Sequence, residues 1–223
     1  MPKLKVQKKS TWVDMTAFVD VAFLILSFFM LATKFKPPEL VNIQNPKSVS
    51  SESVAEKDVF KITFDNQGRT FISFSTDEEA RERILKMLDV LETQKGIVLS
   101  KEERATFLRF GVSGIGVPFT QLKSLLALSD DEYKSFKQPG IPIDSANNQL
   151  DGWINALLTG SGGRRPANIM LNGDNAAKYP EFKNILAAFK KNGVFSFKLI
   201  TAMEAVPAGT PLYQSLQKQQ TVN

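Results

Sequence analysis

Hydrophobic and polar positions divide the chain into two regimes. From Met15 to Thr33 it reads MTAFVDVAFLILSFFMLAT, apolar or small throughout except for Asp20 and a few hydroxyls. At about 1.5 Å per residue, such a helix crosses most of a hydrocarbon core about 30 Å thick. Trp12 precedes it, where an interfacial aromatic belongs. Lys34 and Lys36 follow, with stems long enough to reach the polar layer, and Pro37 and Pro38 end the helix. The pattern predicts a basic N-terminus over 1–12, a transmembrane helix over 13–36 and a second region beyond it.

The second region alternates short strands with amphipathic helices. Residues 37–57, rich in Pro, Ser, Asn and Lys, read as an extended linker. Apolar and polar positions alternate over 58–64 and 70–74, separated by Asp65-Asn66-Gln67-Gly68-Arg69, which predicts a β-hairpin. Ser75-Thr76-Asp77-Glu78-Glu79 offers two overlapping capping boxes for a helix running to about Glu92. Ser100 with Glu103 and Ser129 with Glu132 open two more, the Gly-rich stretch 111–116 between them reads as a flexible loop, and a fourth helix spans 147–158. A strand over 167–171, a helix over 180–191 with proline in its first turn and a strand over 194–200 close the region. The order ββα, helical middle, βαβ predicts an α+β domain over 58–206, a sheet covered by helices, before a polar tail over 207–223.

Composition removes several function classes. The chain has no cysteine and no histidine. Ser/His/Asp and Cys/His catalytic sets are therefore impossible, so an enzyme is the weakest reading, and no metal site or cofactor is expected. If protons move through the protein, a carboxylate carries them. The net charge of +5 is modest, and Lys3, Lys5, Lys8 and Lys9 account for much of it. No basic patch interleaved with aromatics accompanies it, so no nucleic-acid partner is expected. The dense N-terminal lysines place that end in the cytoplasm and everything after Pro37 outside the inner membrane. A cleaved secretory signal fits less well, because the apolar run exceeds the usual core of about 7–15 residues, contains an acid, and lacks a small-x-small site.

Asp20 is the informative residue. A carboxylate inside a spanning helix costs roughly 2.5–3.5 kcal/mol on insertion scales, and lipid returns nothing for it. It calls for a hydrated or protein-lined surrounding, hence for a partner helix, and it can take up a proton on one side and release it on the other. Thr16, one turn before, and Ser27, two turns after, form with it a thin polar stripe suited to lining a proton path. The bland alternative is that Asp20 only hydrogen-bonds a neighbouring helix. Asp14, at the start of the helix near the interface, reads as a cap.

The run Val13-Asp14-Met15-Thr16-Ala17-Phe18-Val19-Asp20-Val21 resembles the signature of the ExbD/TolR biopolymer-transport family, with Asp20 on the family's membrane aspartate and Thr16 on its threonine. Ala17 replaces the usual proline and Asp14 a common asparagine. Val41-Asn42-Ile43-Gln44-Asn45-Pro46 resembles the extended stretch after the family's helix, which marks Val41, Ile43 and Pro46 as linker or partner contacts. Phe60 to Asp65 and Asn168 to Asp174 resemble strands of its periplasmic domain. Residues 93–166 have no counterpart in short members and read as a helical insertion.

The resemblance implies a homodimeric pair of helices inside a ring of polytopic ExbB-like (TolQ-like) subunits. Protons, the coupling ion, pass through the aspartate, and the movement reaches a TonB-like or TolA-like protein. It implies a proton-channel subunit for TonB-dependent transport across the outer membrane. The alternatives are a TolR-like envelope-maintenance subunit, or a single-span anchored interaction protein without proton coupling. A flagellar-stator-like protein would need a peptidoglycan-binding domain, and no such motif is seen.

Overall fold

A computed structural model describes residues 15–32, 40–49, 57–205 and 210. The chain divides into two units, Met1–Pro37 and Pro38–Asn223. In the first, α1 spans Met15–Ala32 and none of its residues is buried. Its mean hydropathy is 2.2, and it is the one helix among the described residues long and apolar enough to cross a membrane.

The second unit is built on a four-stranded sheet. Strand β1 (Lys47–Ser48) lies outside that sheet, which contains β2 (Val59–Phe64), β3 (Thr70–Phe74), β6 (Asn168–Gly173) and β7 (Lys198–Leu199) in the order β3-β2-β6-β7. The β2–β3 pair is antiparallel, as the hairpin pattern predicts; β2–β6 and β6–β7 are parallel. The hairpin turn is held by Asp65, whose carboxylate accepts from the Gln67 and Arg69 amides (both 2.9 Å) and from the Arg69 guanidinium.

Seven α-helices occur among the described residues. After α1 come α2 (Glu78–Lys95), α3 (Lys101–Ser113), α4 (Leu122–Leu126), α5 (Asp130–Ser135), α6 (Gln149–Gly160) and α7 (Tyr179–Lys191). A two-residue hairpin, β4 (Ile143–Asp144) with β5 (Asn147–Asn148), precedes α6. Phe60, Ile62, Phe64, Ile72, Phe74 and Leu171 share one face of the sheet and join one core with Met87 and Leu91 of α2, Trp153 and Leu157 of α6, and Ile185 and Phe189 of α7. This is the α+β arrangement of a sheet covered by helices. Two close approaches require glycine: a Cβ on Gly173 would sit 2.3 Å from the Phe64 ring, and one on Gly160 would sit 2.7 Å from the Lys86 backbone, where α6 crosses α2.

The structure corrects four local expectations. The α2 cap is Asp77, which accepts from the Ala80 amide; Ser75 is still in the ladder, its amide donating to Val59 and its hydroxyl accepting from Val59 N–H. The stretch 111–116, expected as a flexible loop, is largely buried: Ile115 exchanges two backbone hydrogen bonds with Ile72 (2.9 and 2.8 Å) and closes the outer edge of β3. Tyr133 and Gln138 hold it from the far side: the Tyr133 hydroxyl donates to the Gly114 carbonyl, and Gln138 Oε1 accepts from Gly116 N–H (2.6 Å). Strand β7 is two residues rather than the seven of 194–200, because Val194 turns into the core and Phe197 packs on Phe189. Residues 40–49, expected only as an extended linker, carry β1, which pairs in parallel with β8 (Ala202–Met203).

Candidate functional site

Helix α1 presents a single carboxylate, Asp20. Eighteen residues at about 1.5 Å each give a rod of about 27 Å. Phe18, Val19, Phe23, Leu24, Leu26, Phe28 and Phe29 are all more than half exposed. Asp20 is exposed among them, and Thr16, Asp20 and Ser27 fall within an arc of about 40° at 100° per residue. The Ser27 hydroxyl donates to the Leu24 carbonyl at 2.9 Å, so its hydrogen is directed to its own helix and its lone pairs face outward. Asp14, with Trp12, Lys34 and Lys36, lies outside the described residues.

A separate candidate surface, within the second unit, is the strap that follows the helix in sequence. Leu40, Val41 and Ile43 lie on the face of the sheet opposite the helices, lining with Lys61, Thr63, Phe71 and Asn172 a cavity of about 30 Å³. Further along, the Gln44 carbonyl accepts from Asn175 N–H (2.7 Å), and the Gln44 amide donates to Asp174 (3.3 Å). The Pro46 carbonyl accepts from Ala202 N–H and that of Ser48 from Glu204 N–H, both at 2.9 Å. The strap thus runs from beside Gly114, behind β3, past the end of β6 to β8.

The structure therefore places Val41 and Ile43 together on one surface of the sheet and Pro46 further along at β8, apart in sequence from the Thr16–Asp20–Ser27 face. Sequence reasoning missed the partners of the strap: Asp174 and Asn175 for Gln44, and Ala202 for Pro46. The alternation Val41-Asn42-Ile43 was the available signal, since apolar residues two apart point to one side of an extended segment.

Electrostatics in the second unit is organised for folding. Asp58, buried with a left-handed φ of 47°, binds Arg83 through both oxygens (3.0 and 2.9 Å) and accepts from Ala167 N–H (2.7 Å). Burial pushes the Tyr133 hydroxyl up. The Leu99 amide and then Arg104 hold Glu92 below the usual carboxylate range. No three-acid cluster able to hold a metal ion occurs among the described residues.

No curated protein and no solved structure matches the chain significantly. Residues 7–204, spanning both the helix with Asp20 and the strapped sheet, match the sequence model of the family described as biopolymer transport protein ExbD/TolR. The chain belongs to the ExbD/TolR family of biopolymer transport proteins.

Proposed function

We propose that this protein is the single-span subunit of a proton-driven motor in the inner membrane, with Asp20 taking up and releasing the proton. The observation that carries the reading is the apolar surface of α1, exposed among the described residues and interrupted by one carboxylate, Asp20. A lone helix in lipid would hold that acid at a cost of a few kcal/mol, so a surrounding ring of helices is its fitting environment. Family membership supports a particular kind: a polytopic ExbB-like (TolQ-like) ring enclosing two copies of this helix. The N-terminus lies in the cytoplasm and the strapped domain in the periplasm, where a TonB-like transducer takes up the movement for transport across the outer membrane. Thr16 and Ser27 line the proton's way past Asp20.

The test is Asp20→Asn, which keeps size and hydrogen bonding but cannot exchange charge. Energised uptake across the outer membrane is expected to vanish while the complex still co-purifies. Wild-type uptake by the variant would leave the anchored interaction protein as the better reading. Loss of envelope integrity in detergent with uptake intact would instead favour a TolA-linked role.

A further inference from the structure

Helix α3 carries two apolar stripes. Phe107, Phe110 and Gly111 face the core. Ala105, Leu108 and Val112 recur at i, i+3 and i+7 on a line roughly 140° away at 100° per residue. These three are exposed or half-buried, and together with Ile84 of α2 they floor an open groove of about 330 Å³ between the two helices. One arginine stands on each wall, Arg81 on α2 and Arg109 on α3.

The arginines are available to a partner. Arg81 is exposed and makes no ion pair among the described residues. Arg109 lies over the Phe110 ring (5.2 Å) and meets Asp130 at 3.0 Å, a pair whose side chains are 57% and 53% exposed. An ion pair that wet contributes about 0–1 kcal/mol, so an incoming carboxylate can replace Asp130 at little cost.

We infer that this groove docks a segment of another protein in which aliphatic side chains are flanked by carboxylates. The aliphatic residues take the Ala105–Leu108–Val112 floor, and one acid goes to each arginine, the helix-in-groove mode of recognition. Charge complementarity selects this occupant. The two cations stand on opposite walls of the apolar floor, which matches acids on both sides of an apolar contact; a lipid gathers its negative charge at one end of its chains. The inference stands apart from the proton reading, since no residue of α1 enters it.

A photoreactive benzoylphenylalanine at position 108 of the full-length protein in its membrane tests this, with cross-linked peptides identified by mass spectrometry. The expected adduct is a segment with Asp or Glu within one helical turn of aliphatic residues. Its yield should fall about tenfold in Arg81→Glu/Arg109→Glu and persist in Arg81→Lys/Arg109→Lys, because the charge rather than the packing is at stake. The same photoprobe at Val98, exposed elsewhere, should be indifferent to both pairs of substitutions. No adduct, an adduct to lipid, to a second copy of this chain or to a segment without acids, or a yield unaffected by charge reversal in a protein that melts normally, would overturn the inference.

Discussion

At the scale of single residues, the domain depends on a few contacts between distant parts of the chain. Asp58 and Arg83 are 25 positions apart, and Asp58 meets Ala167 across 109. Removing one member of such a pair strands the other in a poorly hydrated place, so Arg83→Met should cost about 3–5 kcal/mol in urea unfolding. Asp58→Asn in the same background should restore part of that loss. Gly173 offers a steric counterpart: Gly173→Ala drives a methyl into the Phe64 ring and should cost about 1–3 kcal/mol, less when combined with Phe64→Leu. Neither contact was legible in the sequence, because an isolated aspartate or glycine does not name a partner a hundred residues away. Asp20 was legible because its anomaly is local: an acid in an apolar run needs no tertiary contact to be noticed.

At the scale of elements, most features set within a few residues were legible, the α2 cap at Asp77 excepted. The two capping boxes, Ser100 with Glu103 and Ser129 with Glu132, stand as their spacing demands, because a cap is satisfied within four residues. Strands of two residues left no pattern, so β1, β4, β5 and β8 went unseen. The carboxylates at these helix ends also set a pH response. Backbone and hydroxyl bonds from Ser129 lower Glu132, and the Leu99 amide, followed by Arg104, lowers Glu92. A group depressed on folding stabilises above its unfolded value, about 4.3 for glutamate, and loses that contribution as pH falls through the folded value. Melting temperature should therefore drop on acidification below about pH 4.3, and Glu92→Gln should flatten that drop while lowering the plateau at neutral pH. The strap gives a further element-level expectation. Val41→Asp with Ile43→Asp should unseat it, so the Asn175, Ala202 and Glu204 amides exchange hydrogen faster while that of Ile72, held by Ile115, does not change.

At the scale of the whole molecule, the helical middle is structural rather than appended. Phe107, Phe110, Leu122, Leu125, Tyr133, Ile143, Trp153 and Leu157 all belong to the same core as the sheet. Excision of residues 97–147 should therefore yield a protein without a cooperative melting transition, in contrast to the loss of a surface loop. The sequence announced helices there through their caps, but their burial against the sheet arises only from long-range packing.

The route of the strap decides how this molecule would yield under tension. Traction arriving through residues 33–39 meets Leu40 first, and the bonds at Gln44, Pro46 and Ser48 stand behind it in file. Fastenings met one after another open like tape lifted from its end, each bearing the load alone, whereas the β2–β6 ladder spreads a load along its length. The fold thus contains a weak seam ahead of a strong one, and a pull along the chain would lengthen the tether well before it threatened the body it holds.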